Sequence, residues 1–286
     1  LLVSFSGGET SGFMCDWLIR NKSQEYEMVF VFANTGEENE ETLNFVNKCD
    51  KKFNLNLVWV EADVQHGERL GTKHKIVNYK TASRKGEPFE EMIRKYGIPN
   101  QAYPHCNREL KLAPIHNYVK SVLKWEDYKT AIGIRYDEVD RVAANRKVYN
   151  LIYPLIENVK MTKPKINFWW SQQDFRLNLK SYQGNCKACW KKSNKNLYKI
   201  AQENPEHFDF FKDMEIKYSR FVKEGRSKQE DQKDFYFFRN NKSVKDIFKM
   251  SKKFKGEVKD SSIDKNYQTD LFEEESCDIF SNCGDV

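Results

Sequence analysis

Two groups of residues in this chain have the types and spacing to do chemistry. The first is Cys186-Lys187-Ala188-Cys189. Two intervening residues let both thiolates turn toward one metal ion or one edge of an iron–sulfur cluster. Cys106, about 80 residues earlier, would add a third thiolate, and His105 stands beside it. Three cysteines and a histidine suit a 4Fe–4S cluster with one iron left open, or a zinc site of the Cys₃His type. The plain alternative is a set of buried thiols. The second group is Ser6-Gly7-Gly8-Glu9-Thr10-Ser11-Gly12, which follows the apolar run Leu1–Phe5 and precedes the amphipathic stretch 13–19. That order reads as strand, glycine-rich turn, helix. Paired glycines let backbone N–H groups come close to an anion, and a helix start near Thr10 offers further N–H groups and a positive dipole end. The hydroxyls of Ser6, Thr10 and Ser11 are additional donors. A phosphate or pyrophosphate is the expected guest, against the plain alternative of a capped strand-to-helix turn. No lysine follows the glycines, which excludes the nucleoside-triphosphatase loop, and the spacing is not that of the dinucleotide fold.

Two further segments carry polar residues after apolar runs. Asn34-Thr35-Gly36 follows Met28–Phe32, and its side chains can hydrogen-bond a base or ribose. Gly133-Ile134-Arg135 follows Tyr128–Ile132, with Arg141 beyond, and two arginines after a strand suit a polyanion.

The elements that must position these residues come from the hydrophobic pattern. Strands are expected at 27–32, 55–60 and 128–134, and a helix at 41–53. Strands alternating with helices predict an α/β fold: a Rossmann-like (HUP-type) parallel sheet with helices on both faces. Ligands of such sheets sit at the carboxyl ends of the strands, so the loops at Ser6, Asn34 and Arg135 are expected to share one crevice. The polar stretch 66–105 shows few strand signals and reads as an insertion at the ligand edge. From about residue 165 the pattern turns helical and charged, with aromatic residues at helical spacing in 208–221. The expected division is a nucleotide-binding domain over 1–165, a helical region over 166–250 that carries the Cys-x-x-Cys, and a charged tail over 251–286.

Composition limits the class. The net charge of +6 suits anionic partners, whether nucleotide or nucleic acid. Basic residues such as Lys187, Lys191, Lys192, Lys195 and Lys199 thicken in the second half and read as a solvated helical face. No apolar run reaches the roughly 20 residues that cross a bilayer, so no membrane partner is expected. Seven cysteines without an export signal point to thiols or metal ligands in a cytoplasmic protein. The missing initial Met suggests that Leu1 is not the native start.

The loop at Ser6 resembles the S-G-G-x-T/D-S loop of the ATP pyrophosphatase and sulfonucleotide reductase superfamily. The segment from Asn34 to Thr42 resembles the D-T-G-x-x-x-P-E-T segment of phosphoadenosine phosphosulfate (PAPS) reductases, with Asn34 in place of Asp and Glu40 in place of Pro. Gly133-Ile134-Arg135-Tyr136-Asp137-Glu138-Val139 is similar to the family's G-x-R-x-x-E-S. Tyr153-Pro154-Leu155 matches its Y-P-L, and Trp170 with Asp174 its W-x-x-x-D. His105-Cys106 stands where iron–sulfur members carry Cys-Cys. The resemblance spans residues 2 to about 197.

It implies an adenine-nucleotide enzyme, either a sulfonucleotide reductase or an ATP pyrophosphatase-type enzyme that thiolates nucleic acid. The nucleotide (ATP, PAPS or its 3′-dephospho form APS) would be held by Ser4, Ser6, Gly7, Gly8, Thr10, Ser11, Asn34, Thr35, Gly36, Gly133, Arg135 and Arg141, with Mg²⁺ if it is ATP. The implied cluster, or alternatively Zn²⁺, would be held by Cys106, Cys186, Cys189 and His105. Family reductases carry a nucleophilic cysteine in a C-terminal E-C-G-x-H motif. Here Cys283 of Asn282-Cys283-Gly284 is the candidate, without the Glu or the His, and a free surface thiol is the alternative. The implied partners are a thiol reductant protein or a nucleic acid, and the expected assembly a homodimer. A non-catalytic nucleotide-binding regulator is the remaining reading.

Overall fold

The computed structural model describes residues 1–184, 186–221 and 234–263. In chain order these form β1 (Leu2–Ser4), α1 (Glu9–Lys22), β2 (Val29–Asn34), α2 (Glu40–Phe53), β3 (Val58–Asp63) and β4 (Lys73–Val77). Then come α3 (Glu87–Tyr96), α4 (His105–Asn107), α5 (Ala113–Tyr118), β5 (Thr130–Ala131), β6 (Leu151–Ile152), α6 (Pro154–Glu157) and α7 (Lys163–Ser171). The last helices are α8 (Asn194–Glu203), α9 (Asp209–Tyr218) and α10 (Val244–Ser251). Helix α2 shows why such segments form. Glu40 and Glu41 sit in its first turn and Lys51 and Lys52 in its last, which matches the helix dipole, and Asn54 closes it in the left-handed conformation.

The six strands form one sheet in the order β4-β3-β2-β1-β5-β6. Strand β1 pairs in parallel with β2 on one side and with β5 on the other. Alternate residues then face opposite ways. Val3, Phe30, Phe32 and Trp59 point into a core with Met14 and Leu18 of α1, Phe45 of α2 and Trp170 of α7. Leu2, Val31, Ala33 and Val60 point to the other face, against Ile115 and Tyr118 of α5 and Val119. The sheet is therefore covered on both faces, as the strand–helix alternation predicts.

The sheet is mixed rather than wholly parallel. Strand β4 pairs antiparallel with β3 from Trp59↔Val77 to Asp63↔Lys73. It lies inside the 66–105 stretch, where few strand signals stand out. Lys73 and Lys75 face solvent and only Val77 is buried, so little apolar alternation marks it; the ladder with β3 supplies what the pattern lacks. Lysines on an edge strand also discourage further pairing.

A second core joins α3 to α8, α9 and α10, with Phe89, Phe208, Phe211, Phe237 and Phe238 at its centre. The aromatic residues expected to pack in 208–221 do so through Phe208 and Phe211. The two cores exchange elements across residue 165: α7 packs on the sheet, whereas α3 packs with the later helices. The stretch 222–233 and the tail beyond 263, with Cys283, lie outside the described residues.

Trp170 links the layers. Its indole packs on Phe45, and Nε1 donates to Glu9 O at 2.8 Å in the first turn of α1. Trp170→Ala is expected to lower the unfolding free energy by about 3–5 kcal/mol, measured by urea denaturation.

Candidate functional site

The turn from β1 to α1 is shaped by its own residues. Gly7 has φ +84°, and a Cβ there would stand 2.8 Å from Thr42 Cγ2, so only glycine fits. Ser11 Oγ donates to Gly8 O at 3.0 Å, accepts from Ser6 N at 3.2 Å and lies 2.9 Å from Ser6 Oγ. At 1% exposure, Ser11 holds the loop together instead of presenting its hydroxyl to a ligand. Gly8 is the N-cap of α1 and has no side chain with which to cap it. A Cβ on Gly8 would meet nothing closer than 3.9 Å, so this edge of the turn is open.

The loop after β5 lies against that turn. A Cβ at Gly133 would be 3.0 Å from Ser11 Cα. Two residues on, Arg135 Nη1 donates to Thr10 Oγ1 at 3.2 Å. Asp137 accepts from Arg135 Nε at 3.1 Å and from Lys163 N at 3.0 Å, which ties the start of α7 to the same loop. Glu138 receives both Arg135 and Arg141.

These pieces line an open cleft with Ser6, Gly7, Gly8, Thr10, Gly133 and Arg135 on one side. It encloses about 990 Å³ when the open solvent at its mouth is included. Lys163, Lys180 and Lys192 bring three more cations, against the carboxylates of Glu9 and Glu138. Glu9 would oppose an anion at the helix start, but Arg176 neutralises it with two bonds of 2.9 and 3.0 Å. Leu177, Leu179 and Tyr182 form an apolar stretch of the wall.

Several expected residues lie elsewhere. Arg141 does not line the cleft; it anchors Glu138 from behind. Ser4 is buried in the sheet, and its Oγ makes no hydrogen bond among the described residues. Asn34, Thr35 and Gly36 do not join the crevice, contrary to the expectation that three strand-end loops would share it. Asn34 Nδ2 donates to Glu61 Oε1 at 2.6 Å and to Ser83 O at 2.9 Å. Thr35 bonds Glu38 through both N and Oγ1 at 2.9 Å. Gly36 O accepts from Gly86 N at 3.0 Å. The physical reason is that the polar groups of this loop are engaged within the protein, with Glu61, Ser83 and Glu38, and that another segment packs over it.

That second loop is covered by the 186–187 segment. Glu38 and Cys186 form an antiparallel bridge, and Lys187 N donates to Glu37 O at 2.9 Å. Glu37 is buried, with Oε2 making no hydrogen bond among the described residues. Burial pushes its carboxyl up to about 8; Lys187 counteracts this, and Glu38 and Glu87 reinforce it.

The expected metal donors do not form a metal-holding group among the described residues. His105 Nε2 lies 3.0 Å from Gly97 O. Cys186 Sγ lies 3.4 Å from Thr35 Oγ1, and burial, with Glu38 and Cys189 nearby, pushes its thiol up. Among the described residues no three His, Cys, Asp or Glu side chains come together as a metal-holding group. The described residues therefore do not show a cluster or zinc site built from Cys106, Cys186, Cys189 and His105.

The cleft cations Lys163 and Lys180 were missed in the sequence, and Lys192 was read as part of a solvated face. No motif marks them. Lys163 reaches the cleft because Asp137 ties the start of α7 to the β5 loop, and Lys180 and Lys192 reach it with the turn Ser181–Gln183, which is held to the start of α2 where Asn39 Nδ2 donates to Gln183 O at 2.9 Å. Among the described residues, no helix is long and apolar enough to cross a membrane.

Comparison with known proteins places this geometry among relatives. The family model described as phosphoadenosine phosphosulfate reductase domain matches residues 1–81, which hold the β1–α1 turn. An uncharacterized nin region protein of Escherichia phage lambda is 34% identical over 200 residues, 68% of this chain and 67% of its own length. Two uncharacterized proteins of Methanocaldococcus jannaschii are 33% identical over 118 residues and 26% identical over 153. The first match covers 41% of this chain and 22% of the relative; the second covers 54% and 26%.

Gly133→Ala should wedge the β5 loop away from α1. The expected cost is about 1–3 kcal/mol of stability together with weaker nucleotide binding, read by thermal unfolding and calorimetric titration. Glu37 gives a pH signature. Folded, its carboxyl keeps a proton that the unfolded chain has already released, so stability falls as pH rises from about 5 to about 8. Glu37→Gln should flatten that fall in urea midpoints measured across this range. Glu215, pushed up to about 7 by burial, acts with the same sign in both proteins, so their difference isolates Glu37.

Proposed function

Since the chain belongs to the PAPS reductase family, whose members use nucleotides, we propose that it acts on an adenine sulfonucleotide bound in the β1–β5 cleft. The observation that carries this reading is the convergence of the open α1 start, Arg135 and Lys163 on one cleft. The nucleotide's phosphates would sit on the backbone N–H groups of 7–10, where the helix dipole and Arg135 both favour negative charge. The apolar stretch at Leu177, Leu179 and Tyr182 suits the base.

In the reaction we assign, a thiolate attacks the sulfur of the sulfonucleotide. The S–O bond to the phosphate breaks, and its electron pair leaves on the phosphate oxygen. Arg135 and the α1 amides stabilise that departing charge, held in place before it develops. The thiolate becomes an S-sulfonate, and a dithiol reductant protein releases sulfite from it while being oxidised to a disulfide. Cys283, outside the described residues, is the nucleophile we assign. No step passes through a cluster or zinc.

One surface favours a second reading, ATP-dependent modification of nucleic acid. Tyr136, Val139, Val148 and Tyr149 are exposed on the segment after β5, beside the exposed Arg146 and Lys147. Aromatic and basic side chains together suit single-stranded nucleic acid. ATP would then bind with its own Mg²⁺ and lose pyrophosphate.

Purified protein with a dithiol reductant should release sulfite from the sulfonucleotide. Arg135→Met should lower kcat/KM by about 100-fold, and Cys283→Ser should abolish release. Pyrophosphate released from ATP only when RNA or DNA is added, with no sulfite formed, would replace this reading by the second.

A further inference from the structure

Residues 260–262 form a strap beside the cleft, and Ser262 lines it. The strap is stitched down at each residue. Asp260 Oδ1 accepts from Ser181 N at 2.9 Å and from Ser262 N at 3.0 Å. Ser261 N donates to Ser181 Oγ at 2.9 Å, and Ser261 O accepts from Asn167 Nδ2 of α7 at 2.7 Å. Ser262 O accepts from Arg176 Nη2 at 2.7 Å. The same guanidinium holds Glu9 through Nε and Nη2, at 2.9 and 3.0 Å. Glu9 sits in the first turn of α1, lines the cleft and is buried. A guanidinium presents its donors in a rigid planar fork, so pairing with Glu9 also fixes where Nη2 meets Ser262. One side chain thus joins the start of α1 to the strap.

Electrostatics gives this link a direction. An anion at the start of α1 faces a carboxylate in the same turn. A buried carboxylate without a partner would oppose that anion at short range. Ligand binding therefore favours the state in which Arg176 is paired with Glu9, and the paired Arg176 holds Ser262. We infer that Arg176 is a positioning residue that couples occupancy of the cleft to docking of the strap, so that the strap tightens on a bound nucleotide and loosens when it leaves. This deepens the nucleotide reading and rests on it. Such coupling is reciprocal, so a change that frees the strap weakens the ligand even where it never touches it.

The test applies calorimetric titration with ADP, and amide hydrogen exchange read by mass spectrometry, to the full chain. In wild type, ADP should slow exchange in the strap by about fivefold or more. Arg176→Met should weaken ADP binding by about tenfold and abolish that protection. The double variant Glu9→Gln with Arg176→Met leaves no carboxylate to pair, and should regain most of the affinity but none of the protection. A merely structural arginine would not be rescued by removing its second partner. Asp260→Ala should also weaken ADP binding, by about the factor by which ADP protects the strap. Its charge effect alone runs the other way, because losing an acidic group beside the cleft favours an anion. Three results would each overturn the inference and leave the nucleotide reading standing: wild type that binds ADP with strap exchange unchanged, a double variant that stays weak, or an Asp260→Ala protein that binds ADP equally or more tightly. If Arg176→Met does not fold, wild-type exchange and Asp260→Ala decide. Wild type that does not bind ADP would sink the nucleotide reading itself, and the inference with it.

Discussion

The contact between Gly133 and Ser11 is the constraint on which the site depends. Parallel pairing of β1 with both β2 and β5 sends the chain away from the sheet in two directions. The crevice left between the ends of β1 and β5 is where a doubly wound sheet accepts a ligand. Without a Cβ on Gly133 the β5 loop comes against the backbone of α1, and a Cβ there would stand 3.0 Å from Ser11 Cα. That approach lets Arg135 reach Thr10, so an arginine and the start of a helix act on the same space.

The helical region supplies the opposite wall. Its attachment runs through the backbone as much as through side chains: the Glu38–Cys186 bridge, the Lys187 N to Glu37 O bond and the Asn39 bond to Gln183 O. The same attachment closes the loop after β2. Residues that could have touched a nucleoside, Asn34 and Thr35, are engaged with Glu61, Ser83 and Glu38. The Cys-x-x-Cys turn therefore serves here as a clamp between the sheet and the helices, and its thiols are placed by that clamp.

The shared and the particular parts of the chain separate along these lines. The matched family segment ends at residue 81 and contains the β1–α1 turn and α2. Arg135, Lys163, Lys180 and Lys192 lie beyond it, on elements that complete the cleft. The β1–α1 turn belongs to the family segment, and the other walls of the cleft come from the rest of the chain.

The strand-turn-helix at Ser6 was legible because it is local. Gly7 must be glycine for a positive φ, Gly8 leaves the helix start open, and an apolar run on one side with an amphipathic run on the other fixes where the turn falls. The alternation of strands and helices likewise announced an α/β sheet, since each buried strand carries its own apolar pattern. Tertiary structure alone decided the rest. Strand β4 needed its partner to become visible. Arg135 and Arg141 look equivalent in the chain, yet the path after β5 turns one into the cleft and the other behind Glu138. Asn34 is taken up by Glu61 and Ser83, and Lys192 is brought to the cleft by the turn it clasps. Spacing along a chain specifies backbone conformation within a few residues. Which side chains share a cavity depends on how elements far apart in sequence pack, and that is settled by burial and topology.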